Sequence, residues 1–260
     1  MNGDVKACCA TLYESDFARI LLGDSFHPGG MRLTERLGEK LGLGPGAKVL
    51  DVASGKGETA MFLAQRFGCE VVGVDFGPEN IRQAHARAEA AGVGHLVRFQ
   101  QGDAEMLDFP DASFDAVLCE CAFCTFPDKR QAAVEFARVL RPAGKVGLSD
   151  LTRLAELPGE LRGLLAWVAC IADARPVQEY AGYLEAAGIR NVEVEAHDEA
   201  LVEMVRNIQG KLLGAELMNK LQKIPLEGID FTKAKQMAAA ASGAVRVRKL
   251  GYALVVGQRA

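Results

Sequence analysis

The chain is predicted to fold as a doubly wound α/β domain around a mostly parallel sheet of seven strands. Two observations predict it. Short apolar runs alternate with helix-like stretches from residue 47 to residue 151, the pattern of a parallel sheet covered by helices on both faces. A glycine-rich loop also stands between the first run and the first helix. With 260 residues, 49% of them hydrophobic, the chain is long enough for one sizeable core and a small appended unit.

The elements follow in order. Residues 10–42 read as helical and amphipathic, broken by the loop "GDSFHPGG" at 23–30, so 1–44 is expected to form an N-terminal helical cap. The α/β core is expected over 45–197. Its first strand spans 47–53, followed by the glycine loop and a helix at about 58–67. A buried strand reads at 70–76, and a helix at 78–92 has Pro near its start and Gly at its end. Strands follow at 96–103 and 113–123. A helix at 128–144 is expected to end at Pro142, and a strand to follow at 145–151. Helices at 159–172 and 176–187 and an alternating strand at 191–197 complete the core. Residues 198–245 read as a helical insert. Leu201, Val205, Ile208 and Leu212 recur there at helical spacing, and an Ala-rich helix covers 231–243. The insert is too long for a hairpin loop and is expected to act as a lid or flap before the last strand in 246–260.

Charge and composition narrow the function classes. The net charge is −4 and no basic patch stands out, which argues against wrapping nucleic acid. The apolar runs are far short of the ~18 residues a membrane span needs. The start "MNGDVKACCATLY" lacks the apolar stretch of a secretion signal, and seven cysteines is an odd count, so free thiols in the cytoplasm are expected.

"GKGETA" at 55–60 matches G-x-G-x-x-A, and Asp75 follows Gly55 by 20 residues. Those two facts fit a dinucleotide fingerprint and an NAD-dependent oxidoreductase. Asp51, inside the strand before the loop, argues the other way, because a carboxylate there repels a pyrophosphate. S-adenosyl-L-methionine has no phosphate and carries an ammonium and a sulfonium, so an acidic residue suits it. The plainer role for Asp51 is to brace the loop.

At this point the sequence resembles a known family. "VLDVASGKGETA", "VVGVDF", "QQGDAEMLDFPDASFDAVLC" and "ARVLRPAGKVGLSDL" look like the successive motifs of class I S-adenosylmethionine-dependent methyltransferases, over about 45–150. The resemblance implies a Rossmann-like core. It implies that Asp51, Ala53, Gly55 and Gly57 hold the methionine end of the cofactor, and Asp75, with Phe76 beside it, the ribose. Asp103 and Ala104 then approach the adenine, while Cys119 and Glu120 lie where the fourth strand faces the methyl group. Ala53 and Ala143 stand where the family usually has glycine. Ala53 loosens cofactor binding if the position needs positive φ.

The run "VLCECAFCTFPDK" holds Cys119, Cys121 and Cys124. A structural zinc site wants a second ligand pair, and none follows. A redox pair opens a helix, whereas Cys121 belongs to the strand or its exit. Plain burial is the common fate of cysteine and is expected for Cys69. "CAFCTFPDK" and "ACIADARPVQEYAGYLEAAGI" are, however, similar to two segments of arsenite methyltransferases. That resemblance places arsenic-binding thiols at Cys121 and Cys170. Thiolates suit a soft centre, and thiol-bound trivalent arsenic keeps a lone pair that attacks a methyl carbon without a general base. Cys8 and Cys9 are either a third ligand or an exposed pair. The motif order also resembles quinone-biosynthesis C-methyltransferases, for which the two thiols are spectators and the acceptor is an organic small molecule. A non-catalytic sensor of cofactor or metalloid is the reading outside enzymes. His27 reads as a loop residue without a role, or as a base for an oxygen or carbon acid. His197 shows no sequence sign of a partner, and the Met204–Leu217 stripe reads as packing.

Overall fold

The computed structural model describes residues 27–161, 171, 173–220 and 230–260. The expected helix at 10–22, most of that at 159–172, and Cys8, Cys9 and Cys170 lie outside them.

Helix α1 (Gly30–Leu41) opens the described chain and ends on Gly42 in the left-handed conformation. Strand β1 (Lys48–Val52) leads through the glycine loop to α2 (Glu58–Phe67). Next come β2 (Glu70–Asp75), α3 (Pro78–Ala90, with Pro at its start), β3 (Val97–Gln101) and β4 (Phe114–Glu120). A single 3-10 turn (Phe123–Thr125) precedes α4 (Lys129–Val139), which Asp128 caps by accepting the Gln131 N–H. Strand β5 (Leu140–Arg153), α5 (Val177–Ala186) and β6 (Ile189–Ala196) follow. Helices α6 (Asp198–Lys220) and α7 (Phe231–Arg246) stand before β7 (Leu250–Arg259).

The helix expected to run to Pro142 stops at Val139. Proline disfavours the helical conformation in the residue before it, and the chain is already extended at Leu140, which pairs with Phe114. Ala143, in the turn after Pro142, has φ 62°.

The sheet order is β3-β2-β1-β4-β5-β7-β6. Strands β1 to β5 pair in parallel, and β7 runs antiparallel to both β5 and β6. The order reverses between β1 and β4, and that switch point leaves a crevice at the carboxyl ends of the strands. Alternation along the strands builds two cores. Leu50, Val117 and Cys119 face Phe136 of α4 and Tyr180 of α5, whereas Val49 and Leu118 face Leu37 of α1 and Leu63 of α2. Helix α1 lies close on the sheet at Gly147, where a Cβ would come within 2.7 Å of Leu37. Its outer side is fastened to β6 by Arg36 and Lys40, whose charged nitrogens lie 2.9 and 3.2 Å from Glu195. His197 does have a partner: its Nε2 is 2.8 Å from Glu195.

Candidate active site

The crevice opens into a cavity walled by the ends of four of the parallel strands, β1 to β4. β1 contributes Val52, Ala53 and Gly55, and β2 contributes Asp75 and Phe76. Asp103 and Ala104 follow β3, and Glu120, Cys121 and Phe126 lie at the exit of β4.

The glycine loop owes its shape to a run of left-handed residues. Ala53, Gly55 and Gly57 have φ of 60°, 52° and 80°. For Ala53 that conformation costs roughly 1–2 kcal/mol relative to an ordinary one. At Gly57 no side chain fits, because a Cβ would sit 2.5 Å from the Phe99 ring. Asp75 fastens the loop from the next strand. Its Oδ2 accepts the Gly55 N–H at 2.8 Å, and its Oδ1 accepts the Gly77 N–H at 2.8 Å and the Asn80 amide at 3.0 Å. Phe76 stands half-exposed at the cavity, and Asp103 accepts the Glu105 N–H at 3.0 Å, closing its turn.

Glu120 is the hub of the opposite wall. Its Oε2 accepts the hydroxyls of Thr34 at 2.9 Å and Thr59 at 2.8 Å, and its Oε1 accepts that of Ser149 at 3.1 Å. The Tyr252 hydroxyl donates to Ser149 at 2.9 Å. Burial first, then the neighbouring Cys121 and Glu120, push the Tyr252 phenol well above its ordinary range. His27 joins the same carboxylate, with Nε2 at 3.5 Å from Glu120 Oε2 and 3.3 Å from Thr34 Oγ1. The expectation of a loop histidine without a role is thus corrected: His27 is buried and lies on the cavity wall.

Cys121 follows β4 directly, at φ 52°, with its N–H donating to the Ser149 carbonyl at 2.7 Å. Behind it, Asp150 accepts the N–H groups of Cys124 at 2.8 Å and Leu151 at 2.7 Å, pinning the segment to β5. The four described cysteines are thiols, not disulfides. Cys119 is corrected as a cavity residue. Strand alternation turns it away from Glu120 into the core, fully buried like Cys124.

Of the expected site residues, the cavity wall holds Ala53, Gly55, Asp75, Phe76, Asp103, Ala104, Glu120 and Cys121. Asp51, Gly57 and Cys119 stand behind it. Asp51 is 2% exposed, and its Oδ2 has no hydrogen-bond partner. Burial, then Glu120 and Asp75, push its carboxyl well above the usual range, against the opposing pull of the Ala60 N–H. Sequence reasoning missed Thr34, Thr59, Ser149 and Tyr252. A signal existed for two of them: Thr34 breaks the apolar face of Leu33, Leu37 and Leu41, and Ser149, with Asp150 after it, interrupts the apolar run from Val146 to Leu151.

A second cavity lies between the start of α1 and α6, lined by His27, Arg32, Glu203, Met204, Asn207 and Lys211 among others. His27 borders both cavities. Among the described residues no three His, Cys, Asp or Glu side chains gather as metal ligands. No described helix is long and apolar enough to cross a membrane.

Residues 50–148 match a family model described as "Methyltransferase domain". An arsenite methyltransferase of Halobacterium salinarum is 32% identical over 161 residues, 61% of this chain and 41% of that protein. A demethylmenaquinone methyltransferase of Thermus thermophilus is 44% identical over 100 residues, 38% of this chain and 44% of that protein. The chain spans from about a third to under two thirds of the length of such curated relatives. The crystal structure of a putative sarcosine dimethylglycine methyltransferase from Galdieria sulphuraria shares the fold. Its TM-score is 0.81 at 19% identity, covering 97% of this chain and 98% of that one. Residues 50–148 thus carry a class I methyltransferase domain, and S-adenosyl-L-methionine is its cofactor. The residues present fit that group. Asp75 and the aromatic Phe76 suit a nucleoside. The unpartnered oxygen of Asp51, beside Glu120 and Asp75, suits a cationic methionine end.

Proposed function

We propose that this chain, built around the methyltransferase domain in residues 50–148, transfers a methyl group to trivalent arsenic held by thiols. The observation that carries the reading is Cys121, placed on the cavity wall directly after Glu120, where β4 ends. Cys170 is the second proposed ligand. S-adenosyl-L-methionine, when bound, supplies an electrophilic methyl on a sulfonium. Thiol-held arsenic would present its lone pair to that methyl group, with the cofactor's sulfur as the leaving group, so these residues would contribute alignment and a water-poor site more than a base. Cys121 holds the acceptor. Asp75 fixes the loop that carries Ala53 and Gly55, and Thr34, Thr59 and Ser149 hold Glu120 still.

The proposed division of the chain follows the same logic. The cap at 1–44 and the insert at 198–245 flank the acceptor side of the core at 45–197, with 246–260 returning to the sheet. The cavity between α1 and α6 supports this, because His27 joins it to the cofactor cavity. The thiol state of the described cysteines supports a reducing cytoplasm.

His27 beside Glu120 favours a second reading, an organic acceptor that gives up a proton, as in quinone-type C-methylation. One experiment separates the two. The full chain is incubated with S-adenosylmethionine, arsenite and a thiol reductant, and methylated arsenic and S-adenosylhomocysteine are measured. Methylarsenic from the wild type, lost in Cys121→Ser and Cys170→Ser while cofactor binding persists, supports arsenic. Tight cofactor binding with no methylarsenic sinks it in favour of an organic acceptor. Binding without turnover of any acceptor tried points to a sensor.

A further inference from the structure

The second cavity, between the start of α1 and one face of α6, encloses about 360 Å³, room enough for a small organic group. Glu203, Asn207 and Lys211 recur at four-residue spacing and form one stripe of its α6 wall. Gly29 and Arg32 line it from α1. The later cations of α1 are spent on the fold, since Arg36 and Lys40 hold Glu195 of β6. Arg32 and Lys211 are different. Both are exposed, and neither forms an ion pair with a described residue, although Glu203 lines the same cavity. Gly29 begins α1 at φ 78° and offers no side chain to accept the first-turn N–H groups. The positive end of this helix therefore adds to the two cations. Two cations and a helix N-terminus against one carboxylate leave the cavity short of negative charge. One side chain separates it from the cofactor cavity. His27 lines both, and its Nε2 lies 3.5 Å from Glu120, the residue before Cys121.

We propose that the cavity between α1 and α6 is a subsite for a carboxylate carried by the methyl acceptor, held by Arg32 and Lys211. The inference rests on the methyl-transfer reading but not on arsenic. If arsenic is the acceptor atom, the carboxylate belongs to a small thiol that delivers the metalloid as its adduct. If the acceptor is organic, the carboxylate is its own. The Arg32 guanidinium presents a planar fork that matches a carboxylate, and Lys211 adds a point charge from the facing helix. The Asn207 amide supplies a neutral donor on the same stripe. Glu203 sets the charge that fits: a monoanion is drawn in by the surplus of positive charge, whereas a second negative charge meets a carboxylate of the protein. Because the two cations come from the N-terminal cap and the insert, both elements take part in choosing the acceptor.

The test is calorimetric titration of the full chain saturated with S-adenosylhomocysteine. The probes are thioglycolate and its neutral amide, each with and without arsenite, and inorganic phosphate as a competitor. Thioglycolate is expected to bind at least about fivefold more tightly than the amide. Arg32→Gln and Lys211→Gln are each expected to shrink that preference, and the double variant to abolish it. Both side chains are exposed, so these variants are expected to fold and to bind S-adenosylhomocysteine as the wild type does. Arsenite that tightens the binding of thioglycolate more than that of the amide assigns the carboxylate to a thiol adduct. A preference indifferent to arsenite assigns it to an organic acceptor, so the subsite stands while the arsenic reading falls. Equal binding of thioglycolate and amide, or binding of neither, overturns the subsite. A preference that survives in the double variant also overturns it, since another group then reads the carboxylate. Displacement of thioglycolate by an equal concentration of phosphate overturns the carboxylate in favour of a phosphate. Failure of the wild type to bind S-adenosylhomocysteine overturns the methyl-transfer reading, and the acceptor subsite with it.

Discussion

The two walls of the cavity are built on different plans. The wall formed by β1, β2 and the glycine loop is local. Asp75 reaches Gly55, on the loop after the adjacent strand, across 20 residues and Gly77 across two, so both contacts stay within the stretch from β1 to the start of α3. The wall around Glu120 is convergent. Its hydroxyl partners lie 86, 61 and 29 residues away, on α1, α2 and β5, and Tyr252 joins Ser149 from 103 residues further along. The local wall depends on backbone shape, in which a single atom decides. The convergent wall depends on side chains that four elements deliver to one point, with the load shared among them.

If that contrast is right, the largest damage comes from the local wall. Gly57→Ala forces a Cβ against Phe99 at 2.5 Å in a left-handed backbone. It is expected to cost about 2–5 kcal/mol of stability and most of the cofactor affinity, measured by urea unfolding and by titration. Asp75→Ala comes next. It strands the Gly55 and Gly77 N–H groups and the Asn80 amide, at about 1–3 kcal/mol, and the loop it held is expected to bind the cofactor poorly.

Thr34→Val tests the shared load. One of three hydroxyl bonds to Glu120 is lost, at about 1 kcal/mol, with two still in place. Cofactor affinity should change by less than about threefold, well under the 1.4 kcal/mol that marks tenfold, while turnover falls. A large loss of cofactor affinity in Thr34→Val would show that the two walls are one unit.

The smallest effect lies outside both walls, where α1 is tied to β6. Arg36, then Lys40 and His197, hold Glu195 down to about 2. A lowered carboxylate adds stability above its unfolded value near 4.5, and that contribution drains away as pH falls toward about 2. Since the pair is largely solvent-exposed, the loss should be about 0.2–1 kcal/mol. Glu195→Gln should unfold at a slightly lower denaturant concentration than the wild type at neutral pH, and should lose slightly less stability than the wild type on acidification.

Much of the local wall was legible in the sequence, because each part lies in one short motif. The glycines, Asp75 and Phe76 could be placed from a strand, a turn and a helix start read in order. Little of the convergent wall was. His27 read as a loop histidine because the loop of Pro and Gly around it carries no sign of burial; its partner lies 93 residues away, at the end of β4. Cys119 and Glu120 were assigned together to the cavity, though a strand sends adjacent side chains to opposite faces. Alternation alone could have separated them, since Leu118 and Cys119 belong to different cores.

By itself the sequence determined the doubly wound sheet, the cofactor end of the site and the presence of a thiol at the exit of β4. These are consequences of hydrophobic period, of glycine at positions of positive φ, and of chain direction, all of which act over a few residues. Only the tertiary structure decided which carboxyl is satisfied and which is stranded, that His27 faces Glu120, and that Asp51 stands behind the wall instead of on it. Those outcomes depend on burial and on the distances between groups far apart in the chain, and no short stretch of sequence encodes them.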